Sequence, residues 1–217
     1  MANVTMKYVI DLAAEQLIDA GHNEWTVQKL VGWGNMGSRQ IVSFVPKANA
    51  VVGPFKLAAG ARQVLDPSGI MVIGATRNLG TDGKTPGNVV NETTVALLSQ
   101  FSPGWAQETA AATIKDFAPD PANQAMFWVS PPSDGTTFIE LTRSEVPTPI
   151  VWDSGGAWET ARAGVSNEYV NTLLDYILFR AFGKDTDLPG NTERSKSHLS
   201  NYLNALGITS AKKGGTS

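Results

Sequence analysis

Apolar and polar positions recur with two different periods along this chain, and the change of period divides it into three stretches. Near the start, Lys7, Asp11, Glu15 and Asp19 follow one another at four-residue steps, with Met6, Ile10, Ala13 and Leu17 opposite them. A period near 3.6 with one apolar side is the mark of an amphipathic helix, expected here over Val4–Ala20 and ended by Gly21–Asn23. A second helix is expected from an N-cap at Thr26 to about Val45. The threonine hydroxyl can accept from a free first-turn amide, and Pro46 disfavours helical backbone at the residue before it. Trp25 and Leu30 flank the cap as a hydrophobic staple. The stripe of this helix, Val27, Leu30, Gly34, Gly37, Ile41 and Phe44, contains two glycines. Each costs about 1 kcal/mol against alanine, so they are expected to admit a close neighbour, most simply the first helix.

From Ala48 to Trp152 short apolar runs alternate with clusters of Gly, Pro, Asn and Asp, the texture of strands and turns. Phe127–Val129, the loop Pro131–Gly135 and the alternating Phe138–Thr142 predict a β-hairpin. Gly155–Gly164 reads as a linker back to helix. Asn167–Phe182 stacks Val170, Leu174, Ile177 and Ala181 on one face, and Asn191–Leu206 carries Leu199, Leu203 and Leu206 before a stop at Gly207. The expected class is α+β: a helical bundle formed by the N- and C-terminal helices, with a β-rich insertion between them. Residues 1–47 are an N-terminal helical hairpin, 48–152 the insertion, 153–207 a linker and the C-terminal helices completing the bundle, and 208–217 a flexible tail.

Composition narrows the chemistry. At 217 residues, 42% hydrophobic and 17% charged, the chain can bury a core. A net charge of −3 leaves no basic footprint for nucleic acid. Cysteine is absent, which excludes disulfide scaffolds and thiolate metal sites and suits folding in a reducing cytoplasm. No apolar run approaches the ~20 residues that cross a bilayer, so no membrane association is expected. Two histidines leave little for a transition metal, and the carboxylates form no acid–base pair for sugar chemistry. No cofactor is expected.

Three fragments imitate catalytic motifs. Gly32-Trp-Gly34-Asn-Met-Gly37 matches a dinucleotide-binding pattern but follows the capped opening of a helix, where that motif needs a strand. Gly83-Lys84-Thr85 resembles the end of a phosphate-binding loop, yet position 78 is Asn and Pro86-Gly87 interrupts the helix that must follow. Asp153-Ser154-Gly155-Gly156 copies a serine-protease nucleophile segment. Its candidate bases, His22 and His198, both fall in or at the end of helical patterns. Contact glycines, a surface turn and a linker explain the three better. The six tryptophans could form a sugar-binding face, but Trp25 and Trp128 have evident packing roles, and core positions are favoured for most.

The order of landmarks along the chain resembles the tailed-phage head–tail adaptor (connector or head-completion) proteins. The resemblance runs through Trp25-Thr26, Asn35, Phe44-Val-Pro46, Gly60-Ala-Arg-Gln63, Arg77-Asn78, Pro103-Gly-Trp105 and Phe127-Trp-Val-Ser-Pro131-Pro132. It closes with Tyr176–Asp185, Asn191 and the helix to Gly207. Where relatives tend to carry Asp or Ala beside the helical asparagine, this chain has Gly34 and Gly37. The resemblance implies a non-enzymatic structural protein of the virion neck. It also implies a ring, usually of twelve copies, that docks onto the portal protein, meets tail or nozzle proteins, and passes genomic DNA without reading its sequence. Another neck or tail-tube component is the nearest alternative, with a serine hydrolase using Ser154 or a glycan-binding module further off. Candidate subunit or portal contacts are Asp11, Glu15 and Asp19 on the first helix, and the loops Asn78–Asn88, with Lys84 and Thr85, and Gly104–Asp116, with Trp105. Lys212 and Lys213 of the tail complete the set. For the helix face, plain solvation is the stronger default.

Overall fold

Thr5 begins the first helix of a computed structural model that describes residues 4–208, within which the chain forms six α-helices and two four-stranded sheets. They fall into two compact units, one made of the residues up to Ala48 and from Pro147 onward, the other of Asn49–Val146.

In the helical unit, α1 (Met6–Gln16) is capped by the Thr5 hydroxyl, which accepts from the Tyr8 N–H at 3.3 Å. The helix stops four residues short of the expected Ala20. Beyond it Ile18 and His22 adopt left-handed backbone, with φ of +56° and +52°. The Asp19 carboxylate turns back to accept the N–H groups of Asn23, Glu24 and Trp25 at 2.8–3.1 Å. Three charge-assisted bonds to one turn outweigh a further turn of frayed helix. α2 (Val27–Phe44) starts where expected, the Thr26 hydroxyl accepting from the Lys29 N–H at 3.4 Å. Its buried face is Leu30, Val31, Trp33, Gly34, Gly37, Ser38, Ile41 and Val42, while Phe44 stays exposed.

A short α4 (Ala157–Thr160) occupies the stretch expected as a bare linker and buries Trp158. α5 (Val170–Lys184), preceded by a 3₁₀ turn at Asn167–Tyr169, buries Val170, Leu174, Ile177 and Ala181 as their spacing predicts. α1, α2 and α6 (Asn191–Ala205) all pack against α5. The two stripe glycines of α2 serve different neighbours. A Cβ on Gly34 would strike the Met6 side chain of α1, but one on Gly37 would lie 2.7 Å from Leu173 and Tyr176 of α5. The first helix is thus the neighbour of only one of them, and side chains rather than a backbone fill the space.

α6 also departs from its leucine pattern. Asn191, Ser195 and Tyr202 are the buried residues, and Leu199, Leu203 and Leu206 are only half-buried. The Asn191 amide donates to the Asp185 carbonyl and carboxylate at 2.9 and 2.7 Å, and the Ser195 hydroxyl donates to the Phe179 carbonyl at 3.0 Å. His198 Nδ1 lies 2.7 Å from the Asp175 carboxylate. Side chains that satisfy polar groups of α5 therefore set the rotation of α6, ahead of its aliphatic residues.

The second unit is a β-sandwich. One sheet runs β1 (Ala50–Lys56), β8 (Phe138–Glu145), β3 (Gly69–Leu79), β4 (Pro86–Val89), all antiparallel. The other runs β2 (Gly60–Val64), β7 (Met126–Ser133), β6 (Asp116–Pro119), β5 (Asn91–Glu92), the last pair parallel. The hairpin expected from Phe127 to Thr142 does not form, because β7 and β8 belong to different sheets. Each is paired on both sides, and the intervening residues carry the chain across the sandwich. Phe127 and Val129 consequently meet Ile139 and Leu141 in one core with Leu57, Leu65, Val72, Ile114 and Phe117. On the outer face of the second sheet, α3 (Val95–Phe101) and a 3₁₀ turn at Trp105–Gln107 bury Leu98 and Trp105 against Ala61 and Ala118.

Candidate assembly surfaces

On α1, Asp11 and Glu15 are exposed, and Asp11 pairs with Lys7 at 3.1 Å. Asp19 does not share their face. It lies past the helix end and is buried, its oxygens spent on main-chain amides. The Trp25 N–H does most to hold its pKa below the ordinary 3.8; burial opposes this, and Asn23, Glu24 and His22 add to it. Asp19 shapes the turn ahead of α2 and is no surface contact, a correction to its expected place.

The stretch Asn78–Asn88 is mostly hairpin, since Asn78 and Leu79 complete β3 and Pro86 opens β4. Lys84 and Thr85 are exposed at its tip. There the Asp82 carboxylate accepts the Lys84 and Thr85 N–H groups and the Thr85 hydroxyl at 2.9–3.0 Å, which lowers its pKa to about 2. A phosphate cradle needs such amides free. Here a carboxylate already occupies them. In the second loop Trp105 is buried, edge-on to Trp128 at 5.9 Å, and it fastens the outer layer to the sheet. It is not available as an exposed contact. The two loops share one staple: the Asn78 amide donates to the carbonyls of Asn88 and Ile114 at 3.0 and 2.7 Å and accepts the Ile114 N–H at 2.8 Å. Lys212 and Lys213 lie outside the described residues.

The catalytic look-alikes resolve into structure. Gly32–Gly37 lies within α2. Asp153 accepts the Ala157 and Trp158 N–H groups at 3.3 Å, opening α4, and Ser154 is exposed beside it. His22 Nδ1 sits 3.3 Å from the Trp25 carbonyl and His198 sits on Asp175, so neither histidine serves Ser154. Among the described residues no group of three or more His, Asp or Glu is placed to hold a metal, and no helix is long and apolar enough to cross a membrane.

Trp25, Trp33, Trp105 and Trp158 are buried, and Trp128 packs on Trp105 while its indole N–H donates to Asp120 at 3.0 Å. Only Trp152 is exposed, at 40%, beside Val151 at 78%. The pair sits in an irregular segment pinned to α2 by Asn35, whose amide exchanges hydrogen bonds of 2.8 and 2.9 Å with the Ile150 main chain. Sequence reasoning missed this pair; an apolar run of Ile-Val-Trp after Pro147 and Pro149 was its one visible signal.

A family model described as SU10 adaptor protein matches residues 5–216. No curated protein matches the chain.

Proposed function

The chain belongs to the SU10 adaptor protein family, a family of phage head–tail adaptors, and from that premise we propose that it forms a ring, of twelve copies, that docks onto the portal protein and continues the DNA channel toward the tail. Its structural role in joining head to tail follows from membership. What supports the finer reading is the extent of the match, which takes in both units. Of the proposed contacts, Asp11, Glu15, Lys84 and Thr85 are exposed and open to partners. Twelve copies at −3 each carry roughly −36, and with those charges facing the bore, DNA would slide through without adhering. Synthesis in the host cytoplasm, followed by docking at the neck, completes the reading.

Disrupting the gene in its phage tests it. The expected result is filled heads that lack tails, rescued by supplying the chain in trans, with a ring at the portal visible in images of rescued particles. Tailed, infectious particles without the chain would overturn the reading.

A further inference from the structure

The exposed sides of α1 and α2 carry the same arrangement of residues with opposite charge. On α1, Tyr8, Asp11 and Glu15 are exposed at helical spacing, and Ile18 continues the series one step past the helix end. The ends of this stripe are apolar, its middle is acidic, and no base occurs from Tyr8 to Ile18. On α2, Met36, Arg39 and Phe44 are exposed at helical spacing, with Lys47 in the 3₁₀ turn that follows. Here two apolar residues enclose a cation, and no acid occurs from Met36 to Lys47. At 1.5 Å per residue, Tyr8–Ile18 and Met36–Phe44 run about 15 Å and about 12 Å.

Both faces leave their chemistry unmet. Among the described residues, Glu15, Arg39 and Lys47 make no ion pair. Ile18 is 93% exposed and takes left-handed backbone, which a β-branched side chain adopts only at a cost. Its N–H donates to the Glu15 carbonyl at 3.1 Å, and the Asp19 N–H donates to the Ala14 carbonyl at 2.9 Å, so the turn holds the side chain outward. A strained, exposed isoleucine gains nothing from its own chain and has a use only beneath a second surface.

We propose that the α1 face of one copy packs on the α2 face of the next, with Arg39 meeting Asp11 and Glu15. The two faces match in charge and in the placement of their apolar ends, and every copy carries both. Exposed ion pairs contribute little by themselves, so Tyr8, Ile18, Met36 and Phe44 supply the burial. Charge selects the partner face, since α1 on α1 or α2 on α2 would bring like charges together. Contact between two different faces is head-to-tail, the kind that closes into a ring. The proposal rests on the reading of the chain as a ring-forming adaptor, which sets copies side by side.

Exchanging the charges in phage particles tests it. Glu15→Arg and Arg39→Glu each oppose like charges at the contact and should lower the yield of tailed particles about tenfold. The thermal melt of either purified variant should be unchanged, because both side chains are exposed. A chain carrying both substitutions again opposes acid to base between copies, and its yield should return to within about twofold of the unaltered chain. Ile18→Gly relieves the backbone, so it should raise the melting temperature and yet lower the yield, a combination that a role inside the fold would not produce. Full yield from either single charge variant, or a double variant no better than the singles, would overturn the proposal and leave the adaptor role standing. So would full yield from Ile18→Gly. Tailed, infectious particles that lack the chain altogether would overturn both.

Discussion

Four side-chain amides, Asn35, Gln63, Asn78 and Asn191, hold irregular stretches of main chain by the same means. Gln63 illustrates it, accepting the Ala58 N–H at 2.8 Å and donating to the Ala58 and Gly60 carbonyls at 2.8 and 3.0 Å. A primary amide carries one acceptor and two donors, so it can replace a peptide partner that a turn has lost. These four are also among the landmarks of the adaptor resemblance, which at these positions follows the fastening of loops. Asn78→Ala would leave both main-chain groups of Ile114 unpaired in a buried place and remove the bond to the Asn88 carbonyl at the surface. We expect it to cost about 3 kcal/mol, read from denaturant midpoints at constant slope. Asp19 makes a different prediction. Its pKa is lowered in the folded chain, so its contribution is complete above 3.8, the ordinary value, and is lost as pH falls through the lowered one. In Asp19→Asn the gap in urea midpoint between pH 7 and pH 3 should shrink. Asp82, Asp120 and Asp134, also held low by hydrogen bonds, supply the acid dependence that remains.

At the scale of elements, the glycines of α2 separate helix propensity from packing. Gly32 has open space where a Cβ would go, so Gly32→Ala should stabilise by about 0.5–1 kcal/mol through propensity alone. Gly37→Ala gains the same propensity but drives a methyl against Leu173 and Tyr176, and overpacking of about 1–3 kcal/mol should make the net effect destabilising. Thermal melts of the two variants should therefore move in opposite directions. The helices were legible because a cap such as Thr26 and a stripe such as Val170–Ala181 are local signals. Strand partnership is not local. Phe127–Val129 and Phe138–Leu141 alternate just as the arms of a hairpin do, and their loop suits a crossing between sheets equally well. What separates the cases is that β2 and β6 already flank β7 while β1 and β3 flank β8, which no window of sequence displays. The assembly surfaces were legible only in part. Exposure of Asp11 and Glu15 followed from helical period, whereas the withdrawal of Asp19 and Trp105 depended on a turn and a distant strand.

On the scale of the whole molecule, the β unit enters and leaves the helical unit through neighbouring strands. Ala50 faces Ser144 across the β1–β8 ladder, and the Asn49 amide donates to the Glu145 carbonyl at 2.8 Å. Ends this close mark an insertion that can be separated from its host. Residues 49–146 expressed alone should unfold as a single cooperative transition in calorimetry, and the helical unit should survive replacement of that stretch by a short Gly-Ser bridge. The same geometry has a mechanical side. A pull on the chain through Ala48 and Pro147 strikes the ladder at its open end, so its bonds peel one after another at low force instead of resisting together. An adaptor that joins head to tail thus has reason to carry load through contacts between folded surfaces and to keep tension off these two strand ends.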